Sequence, residues 1–157
     1  MTKTQFVDLR EIGGVQHCHG ENCDEYYYRP LVYGDNLFTY VAHIPPGGGV
    51  PPDQEEADMY ELSLYILDGT PTVYYGEDQF IMYPHTALHC KRGVKVGFDN
   101  PTKDPVSLVL SFTPAPGGPT NSQEMQEFVE ARGRSIFSPA SMNSMSGGLL
   151  NGVPHEL

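Results

Sequence analysis

The chain of 157 residues has a formal net charge of −11 and contains ten tyrosines and no tryptophan. Its length suits one domain with a genuine hydrophobic core. The acidic balance repels phosphate, which disfavours nucleic acids and anionic membrane surfaces as partners. No apolar run approaches the roughly 20 residues that cross a bilayer. Because the N-terminus also lacks the apolar stretch of a signal peptide, we expect a cytoplasmic protein.

The N-terminal part is marked by a run of metal-binding residue types. His17, Cys18, His19 and Cys23 lie within seven residues. The spacing matches no recognised zinc motif, and a second pair of ligands is missing. A polar surface loop is therefore favoured. Together with Cys90 the cysteine count is odd, and no disulfide framework is expected.

Short β-strands are predicted through the middle of the chain, because apolar and β-branched segments stop at glycine, proline or acidic turns. These segments are 37–44, 62–67, 71–75, 80–83, 94–98 and 106–112. In the last one, strict alternation places four apolar residues on one face: Val106, Leu108, Leu110 and Phe112. Evenly spaced strands of this kind indicate an all-β antiparallel sandwich or barrel.

The C-terminal part has a different composition. One helix is predicted over 123–132, where apolar residues recur at helical spacing. The segment 135–157 holds only scattered apolar anchors, so it is expected to be disordered or to lie over the barrel or a neighbouring subunit. We therefore divide the chain into a barrel domain, 1–116, and a C-terminal helix with a flexible or docking tail, 117–157.

Three motifs in the central segment occur in the order seen in one barrel family. They are the Pro-Pro-Gly-Gly-Gly segment Pro45–Gly49, the turn Leu67-Asp68-Gly69, and Pro84 followed five residues later by His89. This part of the chain resembles the cupin superfamily. The resemblance covers about half of the chain and implies a cupin-type jelly-roll barrel with one C-terminal helix and an extended tail. It also implies a small organic substrate and, by fold analogy, a homodimer.

The ligand positions of the family are largely altered in this sequence. The family normally presents a His-x-His pair, a glutamate and one later histidine to a metal. Asp53 stands where a histidine is common, and Leu62 occupies the position of the glutamate, with Glu61 one residue early. A slip of one residue turns a strand side chain to the opposite face, so Glu61 enters the barrel only if a bulge shifts the register. His89 retains the position of the later histidine.

A metal site is one interpretation of these residues. His89 would bind the metal with two or more of the neighbouring acids Asp53, Glu55, Glu56, Asp58 and Glu61, and the set expected first is His89, Asp53, Glu55 and Glu61. Such a mixed nitrogen and oxygen set suits manganese or ferrous iron, with zinc as an alternative. His17 and His19 would replace the missing pair if both entered the cavity from an edge strand. A metal-dependent dioxygenase or decarboxylase would follow, whereas a solvated acidic loop on the rim would leave the protein without a metal cofactor.

Acid–base chemistry without a metal is the favoured interpretation. His89 in an apolar pocket would be the general base or acid, and Glu61 would fix its tautomer. Tyr65 or Tyr74 would donate to a developing oxyanion. Several cupins resemble this plan. A lyase, isomerase or dehydratase is preferred to an oxygen-inserting enzyme, because the three-histidine site of many cupin dioxygenases is not present in order. A non-catalytic module that binds a small molecule is the alternative from another class.

Three further residues are candidates for substrate binding. Arg29 could hold a substrate carboxylate with two parallel hydrogen bonds. His43 is expected to line the cavity, in phase with Thr39 and Val41 along its strand. Tyr83 is a third donor from the same set of strands.

Overall fold

Alternation of apolar and polar side chains produces a structure made mostly of β-strands. The computed structural model describes residues 5–19, 22–50, 60–113 and 136–145. Its strands are β1 Gly14–His19, β2 Asn22–Tyr33, β3 Phe38–Ile44, β4 Gly49–Val50, β5 Glu61–Asp68, β6 Thr72–Tyr75, β7 Asp78–Ile81, β8 Ala87–Cys90, β9 Val96–Asp99, β10 Val106–Thr113 and β11 Ile136–Phe137. A 3₁₀ turn, Leu9–Glu11, precedes β1, and helix α1, Pro139–Met145, follows β11. All six predicted strands are present within one or two residues of their expected bounds.

The strands form two antiparallel sheets. One sheet has the order β11-β1-β2-β3-β10-β5-β8, and the other has the order β4-β9-β6-β7. The main core lies between them and includes Ile44, Leu64, Ile66, Val73, Phe98, Leu108 and Leu110. We call the sheet faces that line this core the inner faces. The predicted all-β class and jelly-roll architecture are confirmed.

Strand β5 shows how the sequence selects the inner face. Leu62, Leu64 and Ile66 are buried, and the residues between them are exposed. Successive strand side chains point to opposite faces, so this alternation buries one face against the second sheet. The turn predicted after β5 is also confirmed. Gly69 has φ +85°, and a Cβ there would lie 2.7 Å from the carbonyl oxygen of Pro105, so both conformation and space require glycine.

The outer face of the seven-stranded sheet carries a second, smaller layer. Helix α1 contacts β3 and the 3₁₀ turn, and its Met142 is fully buried. Strand β11 pairs with β1 through Gly14 and Val15. Residues 136–145 of the predicted tail therefore lie over the barrel, which was one of the expected alternatives.

Helix α1 was not predicted, because its sequence has no strong helical stripe. The helix predicted at 123–132 lies outside the described residues, and the boundary at residue 116 stays a prediction. Across the part of the chain that the structure describes, no helix has the length and apolar character needed to span a membrane.

The cysteine prediction was wrong. Cys18 of β1 lies opposite Cys23 of β2, and the two form a disulfide across the hairpin. The segment was expected to be a surface loop, and a residue count does not reveal that a hairpin places its two cysteines opposite each other. Cys90 is the free cysteine and is buried.

Candidate functional site

His89 and Glu61 form a close pair, but not inside the barrel. The Nε2 atom of His89 lies 2.6 Å from Oε2 of Glu61, and the two side chains are 61% and 55% exposed. The expected partnership between the two residues is present. The expectation that His89 lies in an enclosed apolar pocket was wrong.

The register of β5 and β8 explains this orientation. Leu62 lies opposite Cys90 on the inner face, and Ser63 lies opposite His89 on the outer face. The irregularity in the pairing of β5 with β10 falls between Ser107 and Leu108, near the far end of β5. No register shift therefore turns Glu61 inward.

The predicted tyrosine donors are engaged elsewhere or open to solvent. The hydroxyl of Tyr65 lies 2.9 Å from Nδ1 of His85, and the hydroxyl of Tyr74 donates to Oδ2 of Asp99 at 2.7 Å. Tyr83 is 60% exposed. The three tyrosine hydroxyls therefore do not lie together around the pair formed by His89 and Glu61.

The described residues do not fit a metal at the family position. Asp53 and Glu55 lie outside them. Among residues 5–19, 22–50, 60–113 and 136–145, no cluster of three or more His, Cys, Asp or Glu side chains could hold a metal ion. The inner-face position of the family glutamate is the apolar Leu62, which is 4% exposed. We therefore derive no chemical step through a metal.

The inner face instead carries a group of aromatic side chains. The hydroxyl of Tyr26 lies 2.6 Å from the hydroxyl of Tyr40, so one donates to the other. The ring of Tyr28 lies 5.1 Å from that of Tyr40, and Phe112 stacks on Tyr40 at 5.2 Å. Tyr26 is buried, whereas Tyr28, Tyr40 and Phe112 are partly exposed. We call these four residues the inner aromatic cluster.

A histidine and an aspartate adjoin this cluster. The Nδ1 atom of His17 lies 3.1 Å from Oδ2 of Asp24, and the two side chains are 22% and 23% exposed. The rings of His17 and Tyr26 meet almost at right angles, with centroids 5.4 Å apart. His17 therefore contacts the inner aromatic cluster, whereas the replacement of the missing metal-binding pair by His17 and His19 stays a prediction. The side chain of His19 lies outside what the structure describes.

Sequence reasoning missed Asp24 and the residues Tyr26, Tyr28 and Tyr40. A signal for them was present. If Cys18 and Cys23 are read as facing positions of a hairpin, the flanking residues His17 and Asp24 become neighbours. Alternation from Asp24 onward then brings Tyr26 and Tyr28 to the same face.

Burial raises the pKa of Tyr26 well above its ordinary value, and the neighbouring Tyr40 adds to the effect. Burial also raises the pKa of the Cys90 thiol to about 11. Both groups keep their protons in the folded state at a pH where the unfolded chain has lost them. Their contribution to stability is therefore complete below the unfolded pKa of each group and declines as the pH rises above it.

We expect the free energy of unfolding, measured with urea, to fall between about pH 8 and pH 11. The variant Cys90→Ala should show a shallower fall at the lower end of this range, because the thiol titrates first in the unfolded chain. An equal slope in the variant and the wild type would contradict the assignment to Cys90.

Arg29 and His43 do not line the inner face, so the expectation that His43 lines the cavity was wrong. On β3 the inner face is lined by Ala42 and Ile44, and His43 points to the other side. Nη1 of Arg29 donates to the carbonyl oxygen of Leu9 and to Oδ1 of Asn143, both at 2.7 Å. These acceptors belong to the outer layer.

The buried surroundings of these two residues shift both pKa values. Burial, and then the charge of Arg29, lowers the pKa of His43 to about 3. Burial lowers the pKa of Arg29 to about 10. At neutral pH the imidazole is therefore uncharged and the guanidinium retains its charge.

Comparison with known proteins gives structural matches only. No protein-family model and no curated protein matches the sequence. The polyketide cyclase RemF from Streptomyces resistomycificus is 18% identical with a TM-score of 0.61, and the match covers 83% of this chain and 94% of RemF. A predicted oxalate decarboxylase from Thermotoga maritima is 14% identical with a TM-score of 0.59, covering 70% and 99%.

An RmlC-like cupin from Shewanella frigidimarina is 16% identical with a TM-score of 0.54, covering 64% of this chain and 83% of that protein. At such identities the similarity concerns the fold and not the activity. The two facing antiparallel sheets agree with this similarity. The chain accordingly has the double-stranded β-helix fold of the cupin superfamily.

Proposed function

We propose that this protein is a small-molecule enzyme that transfers a proton on an organic substrate at the inner aromatic cluster. The observation that carries the proposal is the pair formed by His17 and Asp24, at 3.1 Å, with the imidazole ring in contact with Tyr26. It retains the favoured acid–base interpretation and moves its centre from His89 and Glu61 to His17 and Asp24.

Asp24 would determine which nitrogen of His17 is basic. A carboxylate beside Nδ1 favours the tautomer with the proton on that nitrogen, and Nε2 then becomes the base. The carboxylate also stabilises the imidazolium that forms once the proton is taken. Removal of the proton by His17 requires no side chain other than these two.

The paired hydroxyls of Tyr26 and Tyr40 would supply the complementary donor. Because the pKa of Tyr26 is raised, its hydroxyl keeps its proton and can polarise its neighbour. A hydroxyl donor stabilises the oxyanion that develops when a proton leaves the carbon next to a carbonyl. Lyase, isomerase and dehydratase reactions share this step, so all three classes fit the site.

The partly exposed rings of Tyr28, Tyr40 and Phe112 favour a substrate with a flat, apolar portion. Aromatic rings gain most by stacking or edge contact with other π-systems. The structural neighbours include a polyketide cyclase and a predicted oxalate decarboxylase. Because those activities differ, fold similarity does not select the reaction, and the proposal rests on the side chains.

A hydrogen–deuterium exchange assay tests the proposal. The full chain is incubated in D₂O with a panel of conjugated and aromatic ketones and hydroxy acids, and deuterium at the carbon next to the carbonyl is followed by NMR. We expect catalysed exchange with at least one class. His17→Gln should lower its rate by roughly 10²–10⁴-fold, since that is the usual contribution of a general base.

The variant His89→Gln is the matched control, because it changes the same residue type on the outer face. It should exchange at the wild-type rate. Loss of exchange in His89→Gln but not in His17→Gln would overturn the assignment. Ligand binding without any exchange would favour a non-catalytic binding module.

Three further predictions from the sequence stand apart from this proposal. A metal-dependent dioxygenase or decarboxylase depends on Asp53 and Glu55, together with residues at the inner face. The homodimer stays a prediction from fold analogy. The cytoplasmic location also stays a prediction, and the disulfide between Cys18 and Cys23 is uncommon in proteins of a reducing compartment.

A further inference from the structure

Three buried nitrogen atoms on the outer face of the seven-stranded sheet have no hydrogen-bond partner within the described residues. They are Nε and Nη2 of Arg29 and Nε2 of His43. Arg29 is 0% exposed and His43 is 1% exposed. Buried polar groups are normally satisfied, so each such atom indicates a missing partner.

The two residues occupy neighbouring positions under the same cover. Arg29 of β2 lies opposite Val41 of β3, and Tyr27 lies opposite His43. Arg29 and His43 are therefore diagonal cross-strand neighbours on one face, at a separation that long side chains span. Their mutual proximity is also evident from the effect of the Arg29 charge on His43.

The orphaned atoms of Arg29 form a defined recognition edge. Nη1 is satisfied by Leu9 and Asn143, whereas Nε and Nη2 share the remaining side of the planar guanidinium. Parallel N–H bonds from this edge match the two oxygens of a carboxylate. The geometry thus favours a planar anion over a spherical one.

The buried positive charge of Arg29 also favours a bound anion. A buried guanidinium is costly unless a carboxylate or another anion pairs with it. None of the salt bridges within the described residues includes Arg29. The positive charge therefore has no counter-ion from these parts of the chain.

His43 can complete the set of donors. Its Nδ1 atom lies 2.9 Å from the hydroxyl of Ser107. When that hydroxyl donates to Nδ1, the proton of the neutral imidazole is on Nε2. Nε2 then becomes a third N–H donor on the same face.

We propose that the protein binds a small carboxylate between the outer face of the seven-stranded sheet and the layer formed by α1 and the 3₁₀ turn. The carboxylate accepts two hydrogen bonds from Arg29 and one from His43. The site lies on the opposite face from His17 and the inner aromatic cluster, so it is separate from the proposed catalytic centre.

Thermal unfolding of the full chain tests the site with sodium acetate as the probe. The protein is dialysed into a sulfonate buffer, and acetate or chloride is added at constant ionic strength. We expect the wild-type Tm to rise by about 5–10 °C as acetate reaches a hundred times its dissociation constant. Chloride should give no comparable rise.

The variant Arg29→Met should lose the acetate dependence, and the exposed control Arg92→Met should keep it. An equal, Arg29-dependent rise with chloride would overturn the assignment to a carboxylate. A wild-type Tm that does not rise with acetate would overturn the proposal. If Arg29→Met does not fold, NMR of ¹³C-labelled acetate with wild-type protein decides, since absence of a bound signal also overturns the proposal.

Discussion

Replacing Leu64 with alanine should lower the free energy of unfolding by about 2–5 kcal/mol. Leu64 is 0% exposed and lies in the middle of the core between the two sheets. The change removes buried methyl groups and leaves a cavity that strands fixed by hydrogen bonds on both sides cannot close. Urea unfolding monitored by circular dichroism measures the change, and the slope of the transition should stay constant.

The adjacent variant Ser63→Ala is the control. Ser63 is exposed on the other face of β5, so its replacement should change stability by no more than about 0.5 kcal/mol. A larger loss for Ser63→Ala than for Leu64→Ala would mean that the faces of β5 are reversed. In that event Glu61 and His89 would face the barrel interior, and the revised candidate site would be wrong.

Gly14→Ala is expected to lower the free energy of unfolding by about 1–3 kcal/mol, as overpacking does at other buried positions. A Cβ at residue 14 would lie 2.8 Å from the carbonyl oxygen of Tyr28 and would also overlap the side chain of Met142. Met142 can adjust, but the carbonyl belongs to the paired strand β2. Thermal and urea unfolding of the full chain would measure the loss.

Gly34→Ala is the matched control for this second prediction. A Cβ at residue 34 meets only the carbonyl oxygen of Leu37, at 3.9 Å. The change should be neutral within about 0.5 kcal/mol, because the position is open. If the two variants had the same stability, Met142 and the carbonyl oxygen of Tyr28 would not lie against Gly14.

Much of the fold could be predicted from the sequence because its strands follow simple rules. Strands β3, β5 and β10 have regular apolar patterns, and Asp68-Gly69 is a strong turn signal. Helix α1 could not be predicted, because its stability comes from one buried residue, Met142, and from contacts distant in the sequence. Periodicity carries no information about such contacts.

The candidate site was harder to predict, because it depends on which face of each strand is buried. A motif match assigned His89 to the interior, yet the pairing of Leu62 with Cys90 turns it outward. His17 and Asp24 come together only through the hairpin of β1 and β2, whose loop was not recognised as a turn. Whether two such residues meet depends on the register between the paired strands, and local sequence patterns do not determine that register.

Strand β11 has a consequence for self-association. It occupies the edge of β1 at Gly14 and Val15, where backbone N–H and C=O groups would otherwise face water. Unprotected sheet margins recruit strands from other molecules and promote aggregation. Strand β11 therefore protects the edge of β1, while helix α1 covers Arg29. A chain that ends before β11 would expose this edge and would tend to pair with other molecules there.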